Sequence, residues 1–157
     1  MITDPTAVNC LAYRTIGCAI NVHRVLGPGV SELPNALALA EELREAAISF
    51  RREIPVSLVY KGRRLGCCYR LDFLIEDTII VELKSVREVI EVHKKQVLSY
   101  LRLTRRPLAL LLNFNVPVLQ QGISRFINDP TVMPSAIAHL GTPRELFQAA
   151  PAEGSTL

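Results

Sequence analysis

Apolar positions recur every three or four residues over 6–26 (Val8, Leu11, Ala12, Ile16, Ala19, Ile20, Val25), the spacing of one face of an amphipathic helix. Gly27-Pro28-Gly29 ends that pattern. Ser31 stands where an N-cap would open a second helix over about 32–47, with Pro34 tolerated in the first turn because its missing N–H has no intrahelical partner there. From Arg52 the period changes to two. IPVSLVY and CCYRLDFLI read as strands joined by the glycine-flanked KGRRLG, and the turn EDT leads to a third strand, IIVELKS. A further helix is expected from 87 or 88 to 103, then the continuously apolar PLALLLNF as a fully buried strand. VPVLQQGISRFI adds either a short helix or a strand. The order α-α-β-β-β-α-β predicts an α/β (α+β) domain over 6–128, a mixed sheet flanked by helices. Residues 129–157, rich in proline and alanine, are expected to be a partly disordered tail with a short helix near 143–149.

Composition narrows the class. At 157 residues and 49% hydrophobic content, the chain holds enough apolar material for one core. A net charge of +3 permits a polyanionic partner without requiring one. The cations concentrate centrally: Arg51, Arg52, Lys61, Arg63, Arg64, Arg70, Lys94, Lys95, Arg102, Arg105 and Arg106. Most such runs are solvated surface. Cys10, Cys18, Cys67 and Cys68 form no CxxC and lack zinc-ligand spacing. With no secretory leader pattern and no apolar run of membrane-spanning length, the expectation is a soluble cytoplasmic protein with free thiols and no membrane partner. Oligomeric state leaves no mark in the sequence.

The third strand poses a chemical question. The strand period puts Glu82 and Lys84 on one face and Val81 and Leu83 on the other. If EDT is a three-residue loop, Ile75 pairs with Ile79, Asp72 faces Glu82, and Lys84 faces Arg70. Two facing carboxylates repel unless a positive charge lies between them, and Mg²⁺ meets that need with oxygen ligands. A lysine beside it suits metal-assisted phosphodiester hydrolysis. The plainer alternative is a solvated Glu–Lys pair of small energetic weight. On the next helix His93, Gln96 and Tyr100 form one polar stripe, which is either part of a site or an amphipathic boundary at the sheet edge. Glu32, by itself, reads as a first-turn carboxylate favouring the helix dipole.

Together LGPGVSE (26–32), YKGRRLG (60–66), YRLDFLIED (69–77), IIVELKSV (79–86), VHKKQVLSYL (92–101) and LLLNFNVP (110–117) resemble the GxxExxY family of the PD-(D/E)XK nuclease-like superfamily, in order, from about 10 to 128. The resemblance implies a restriction-endonuclease-like core. It also implies Asp72 and Glu82 as metal carboxylates, Lys84 as catalytic lysine, Glu32 as an additional acid, and Gln96 and Tyr100 as a QxxxY motif preceded by His93. Two positions depart from the pattern: Asn35 stands for the tyrosine of the naming motif, and Leu71 for the proline of "PD". The implied function is a Mg²⁺- or Mn²⁺-dependent nuclease acting on DNA or RNA, with the Leu83 carbonyl as a further metal ligand and Gln96 and Tyr100 positioning lysine or substrate. The alternatives are a non-catalytic nucleic-acid-binding or protein-interaction module on the same fold, and a small structural partner of a larger complex.

Overall fold

The computed structural model describes residues 1–128, so the expected tail and its helix lie outside the described residues. Helix α1 spans Pro5–Leu26, with Asp4 as N-cap accepting the Ala7 N–H. Helix α2 spans Glu32–Glu45, opened by Ser31 in extended conformation but without a side-chain capping bond. Strands β1 (Phe50–Tyr60), β2 (Arg63–Ile75) and β3 (Ile79–Lys84) follow, then α3 (Glu91–Thr104) and β4 (Leu108–Asn113). VPVLQQGISRFI resolves into both alternatives, a 3₁₀ turn at Leu119–Gly122 and strand β5 at Ile123–Ile127. Helix α3 starts a few residues later than its periodicity suggests, with the Ile90 N–H held by His93 Nδ1 at 3.3 Å. The expected KGRRLG turn contracts to Lys61-Gly62. Both have positive φ (49° and 74°), the signature of a two-residue type I′ hairpin turn.

The five strands lie in sequence order in one sheet. Neighbours are antiparallel except for β3 and β4, which run parallel with α3 as their crossover. Alternation along β3 and β4 splits the core in two. Ile79, Val81, Leu83, Leu108, Leu110 and Leu112 pack with α1 and α2, while Ile80, Ala109 and Leu111 pack with Val97, Tyr100 and Leu101 of α3. The result is a mixed sheet between two helical layers, an α+β architecture of the restriction-endonuclease-like kind.

The expected alternation fails at one place. A strand period of two would put Leu71 on the same face as Phe73 and Ile75, yet it joins the α3-side core with Ile54 and Val56. Opposite Asp72, Glu53 has a φ of 52°, outside the strand region, and the ladder passes from Arg52–Phe73 straight to Ile54–Leu71. That irregularity turns the β1–β2 ribbon as it leaves the sheet.

Candidate active site

Ile75 pairs with Ile79, so EDT is the three-residue loop that the facing-carboxylate reading needed, with Thr78 N–H closing onto the Ile75 carbonyl at 2.8 Å. The β2–β3 ladder continues to Phe73–Val81 and then stops. One step further, Asp72 takes over with its side chain: Oδ2 accepts the Leu83 N–H at 2.8 Å. The expected pairing of Lys84 with Arg70 does not form, because the strands have parted. Lys84 pairs with Asn113 of β4, and Arg70 pairs with Pro55 and forms an ion pair with Glu53 at 3.0 Å.

Four consecutive residues, Glu82 to Ser85, gather the other groups. Lys84 Nζ donates to Glu82 Oε1 at 2.7 Å, the Leu83 amide to Asp72, and the Ser85 amide to Glu32 Oε1 at 3.2 Å. Ser85 Oγ donates to the Val30 carbonyl at 2.6 Å and so ties this strand end to the loop that carries Glu32. The same loop is held from behind by Asn35. Its Nδ2 donates to the Val30 and Ser31 carbonyls, both at 3.0 Å. Asn35 thus has a defined job in fixing the approach to Glu32.

Glu82 is the group under most electrostatic stress. Only 2% of the residue is exposed, and Oε2 is buried with no hydrogen-bond partner. Burial first, and Asp72 second, push its carboxyl up to about 7, against the pull of Lys84. Burial also raises Asp72, partly offset by the Leu83 amide and by Lys84. Desolvation alone would lower Lys84, but its bond to Glu82 and the surrounding carboxylates Glu82, Glu32 and Asp72 leave it raised. The mutual influence of Glu32, Asp72, Glu82 and Lys84 marks one electrostatic cluster.

The α3 stripe backs this cluster. Tyr100 is buried, and burial, together with Glu82 and Asp72, raises its phenol, while a bond from Gln96 Nε2 at 2.6 Å opposes the rise. Gln96 spends that amide on Tyr100 and makes no hydrogen bond to Lys84. Tyr69 of β2 meets the Tyr100 ring edge-on at 5.8 Å. His93 serves the helix start. Sequence reading missed Asn113. It is buried, its Oδ1 accepts from Val86 and Asn115 and its Nδ2 donates to the Val86 carbonyl, so it clamps the chain as it leaves β3. A lone asparagine closing a buried apolar strand was the available signal.

Asp72 and Glu82 together offer hard oxygen donors, one of them an unpartnered buried oxygen, which is chemistry suited to a divalent cation such as Mg²⁺. No group of three His, Cys, Asp or Glu side chains stands ready to hold a metal among the described residues. Here the Lys84 ammonium provides the positive charge that Glu82 needs.

Residues 9–126 match the family model described as the PD-(D/E)XK nuclease superfamily, and the chain belongs to that superfamily. Its nucleases generally use divalent metals and act on nucleic acid. No curated protein and no solved structure matches the chain.

Proposed function

We propose that this member of the PD-(D/E)XK nuclease superfamily is a Mg²⁺- or Mn²⁺-dependent nuclease that hydrolyses phosphodiester bonds of DNA or RNA. The observation that carries the reading is the buried, unpartnered Oε2 of Glu82 beside the Asp72 carboxylate. Burying a carboxylate oxygen without a partner is unfavourable unless a ligand or ion compensates it.

Asp72 and Glu82 are the proposed metal carboxylates, with Glu32 and the Leu83 carbonyl as further oxygen donors. The Lys84 carbonyl accepts from Phe114 N–H at 2.8 Å, so strand alternation turns the polar groups of Leu83 away from β4 and toward Asp72. A bound divalent ion supplies Lewis acidity and lowers the pKa of coordinated water. Lys84, once released from Glu82, would be placed to orient an attacking water and to stabilise charge developing on the scissile phosphate. Buried Tyr100 acts as a positioning residue. It backs the carboxylates and accepts a hydrogen bond from Gln96, which is only half-buried.

The test is cleavage of single- and double-stranded DNA and RNA with Mg²⁺, Mn²⁺ or EDTA, using wild type, Asp72→Asn and Lys84→Ala. Metal-dependent cleavage abolished by both substitutions is expected. Equal cleavage by all three proteins would trace to a contaminant and remove the reading.

One observation favours a second reading, nucleic-acid binding without cleavage: Glu82 Oε1 is already closed onto Lys84 at 2.7 Å. Nucleic-acid binding with neither Mn²⁺ uptake nor cleavage would select it.

A further inference from the structure

Strand β2 has 13 residues and β3 has six, and only Phe73, Leu74 and Ile75 of β2 pair with β3. The rest of β2 pairs with β1 alone, so residues 54–71 form a two-stranded ribbon extending past its neighbour. Its root is anchored: Ile54, Val56 and Leu71 are buried in the α3-side core. Its tip is not, for Tyr60 is 58% and Leu65 53% exposed, and Lys61 and Arg63 lie open to solvent. An isolated two-stranded hairpin is marginal in water, so a ribbon kept this long calls for an interaction that uses it.

The ribbon is strongly one-signed. Residues 54–71 hold four of the chain's 18 Lys and Arg (Lys61, Arg63, Arg64, Arg70) and none of its 15 Asp and Glu, leaving the remainder of the chain close to neutral. Arg70 forms an ion pair with Glu53 at the root, and Lys61, Arg63 and Arg64 lie toward the tip. Register shifts between Val56 and Val59, with Gly66 at a φ of 82°, bend the ribbon along its length.

We propose that this ribbon is a nucleic-acid arm that grips the phosphates of duplex flanking the site. The inference rests on the nuclease reading, because it takes the scissile phosphate to lie at Asp72 and Glu82. Strand β2 joins the two places physically: it runs from Arg63 at the tip to Asp72 at the root, with Tyr69 against Tyr100 on the way. A two-stranded β-ribbon fits the roughly 12 Å major groove of a duplex. At about 3.3 Å per residue, the nine steps from Arg63 to Asp72 reach up to about 30 Å. With about 3.4 Å of rise per base pair, that covers roughly nine base pairs.

The experiment measures equilibrium binding in EDTA to a 30-base-pair duplex DNA, a duplex RNA of the same length and a 30-nucleotide single strand, across a salt series. The proteins are wild type and Lys61→Gln/Arg63→Gln/Arg64→Gln, both checked by thermal melting. Each phosphate contact contributes about 0.9 to the slope of log K against log salt, so the triple variant should flatten the duplex slope by about two to three. Its affinity for the duplex should fall by tenfold or more. The single variant Arg63→Glu, at an exposed tip position, should weaken duplex binding in the same direction. An unchanged salt slope overturns the arm, and equal weakening on the single strand overturns its assignment to duplex. DNA and RNA duplexes separate the two polymer sources. Metal-dependent cleavage is scored separately. Arm-dependent binding without cleavage keeps the arm and removes the nuclease reading, whereas cleavage with arm-independent binding removes the arm alone.

Discussion

Lys84 Nζ lies 2.7 Å from Glu82 Oε1, two residues back along the same strand, while the other Glu82 oxygen is buried and unpartnered. One carboxylate therefore faces two ways: an ammonium already satisfies one oxygen, and the second awaits a partner. The facing carboxylates Asp72 and Glu82 need positive charge, and the chain carries its own. A metal ion entering here competes with Lys84 for Glu82.

Replacing that lysine should separate metal binding from catalysis. Lys84→Met removes the internal cation, so the metal-free protein should lose about 1–3 kcal/mol of stability, with protonation of Glu82 limiting the loss. Mn²⁺ should then raise the melting temperature of Lys84→Met by more than it raises that of wild type. Cleavage should fall by on the order of 10²-fold or more if Lys84 orients the attacking water. Calorimetric Mn²⁺ titration decides the point. Weaker Mn²⁺ binding by Lys84→Met than by wild type would mean that lysine and metal do not compete.

The raised carboxyl of Glu82 fixes the sign of a pH dependence. Its unfolded value is near 4.5 and its folded value about 7, so between those limits the folded state binds the extra proton. Stability from this group is full below about 4.5 and is lost as pH rises toward 7, by at most about 3 kcal/mol. Asp72, raised as well, contributes in the same direction. Glu82→Gln should flatten the fall in melting temperature between pH 5 and pH 8. Because a metal needs the deprotonated carboxylate, wild-type Mn²⁺ affinity should climb by up to about tenfold per pH unit below 7. An affinity flat over that range would remove Glu82 from the ligand set.

Much of this site is legible in the sequence because strand period and loop length fix faces. Counting EDT as three residues was enough to bring Asp72 toward Glu82, and the ladder from Ile75–Ile79 to Phe73–Val81 bears that count out. Other features depend on where pairing ends, which no local pattern records. The parting of β2 from β3 after Phe73 frees the Leu83 amide for Asp72 and leaves Lys84 paired on its β4 edge alone, with Asn113. The positive φ of Glu53, opposite the point where Leu71 joins the α3-side core, likewise has no signature in residue type. Charge pattern asked for a cation between the carboxylates, and an ammonium two residues away satisfies one Glu82 oxygen while leaving the other without a partner.

Asn113 holds the end of β3 from the neighbouring strand. Asn113 is itself buried, its three bonds to Val86 and Asn115 are part-buried, and Asn113→Leu would leave the Val86 N–H and carbonyl without these partners. Unfolding in urea should show a loss of about 2–4 kcal/mol. Asn113→Asp keeps the acceptor for the Val86 and Asn115 amides and should recover part of it. A change below about 0.5 kcal/mol, the range of ordinary surface substitutions, would show that the clamp carries no weight.

Gly122 reports on the same clamp from the opposite side. A Cβ there would overlap the Asn113 carbonyl oxygen and crowd its carbonyl carbon at 3.1 Å and Val116 Cγ2 at 3.0 Å. The obstruction is backbone rather than the free end of a flexible side chain, so Gly122→Ala must move the end of β4 or the 3₁₀ turn. Overpacking of this kind should lower stability by about 1–3 kcal/mol. Since Asn113 pairs with Lys84 and ties down Val86, displacement of its backbone passes directly to the strand end that carries Lys84. Gly122→Ala should therefore reduce cleavage at temperatures well below its own melting point, where nearly all the protein is folded. Gly17, inside α1, has open space where a methyl group would sit, so Gly17→Ala serves as the control and should leave cleavage intact while raising stability by up to about 1 kcal/mol. Loss of stability in Gly122→Ala with full cleavage by the folded fraction would show that β4 yields without disturbing Lys84.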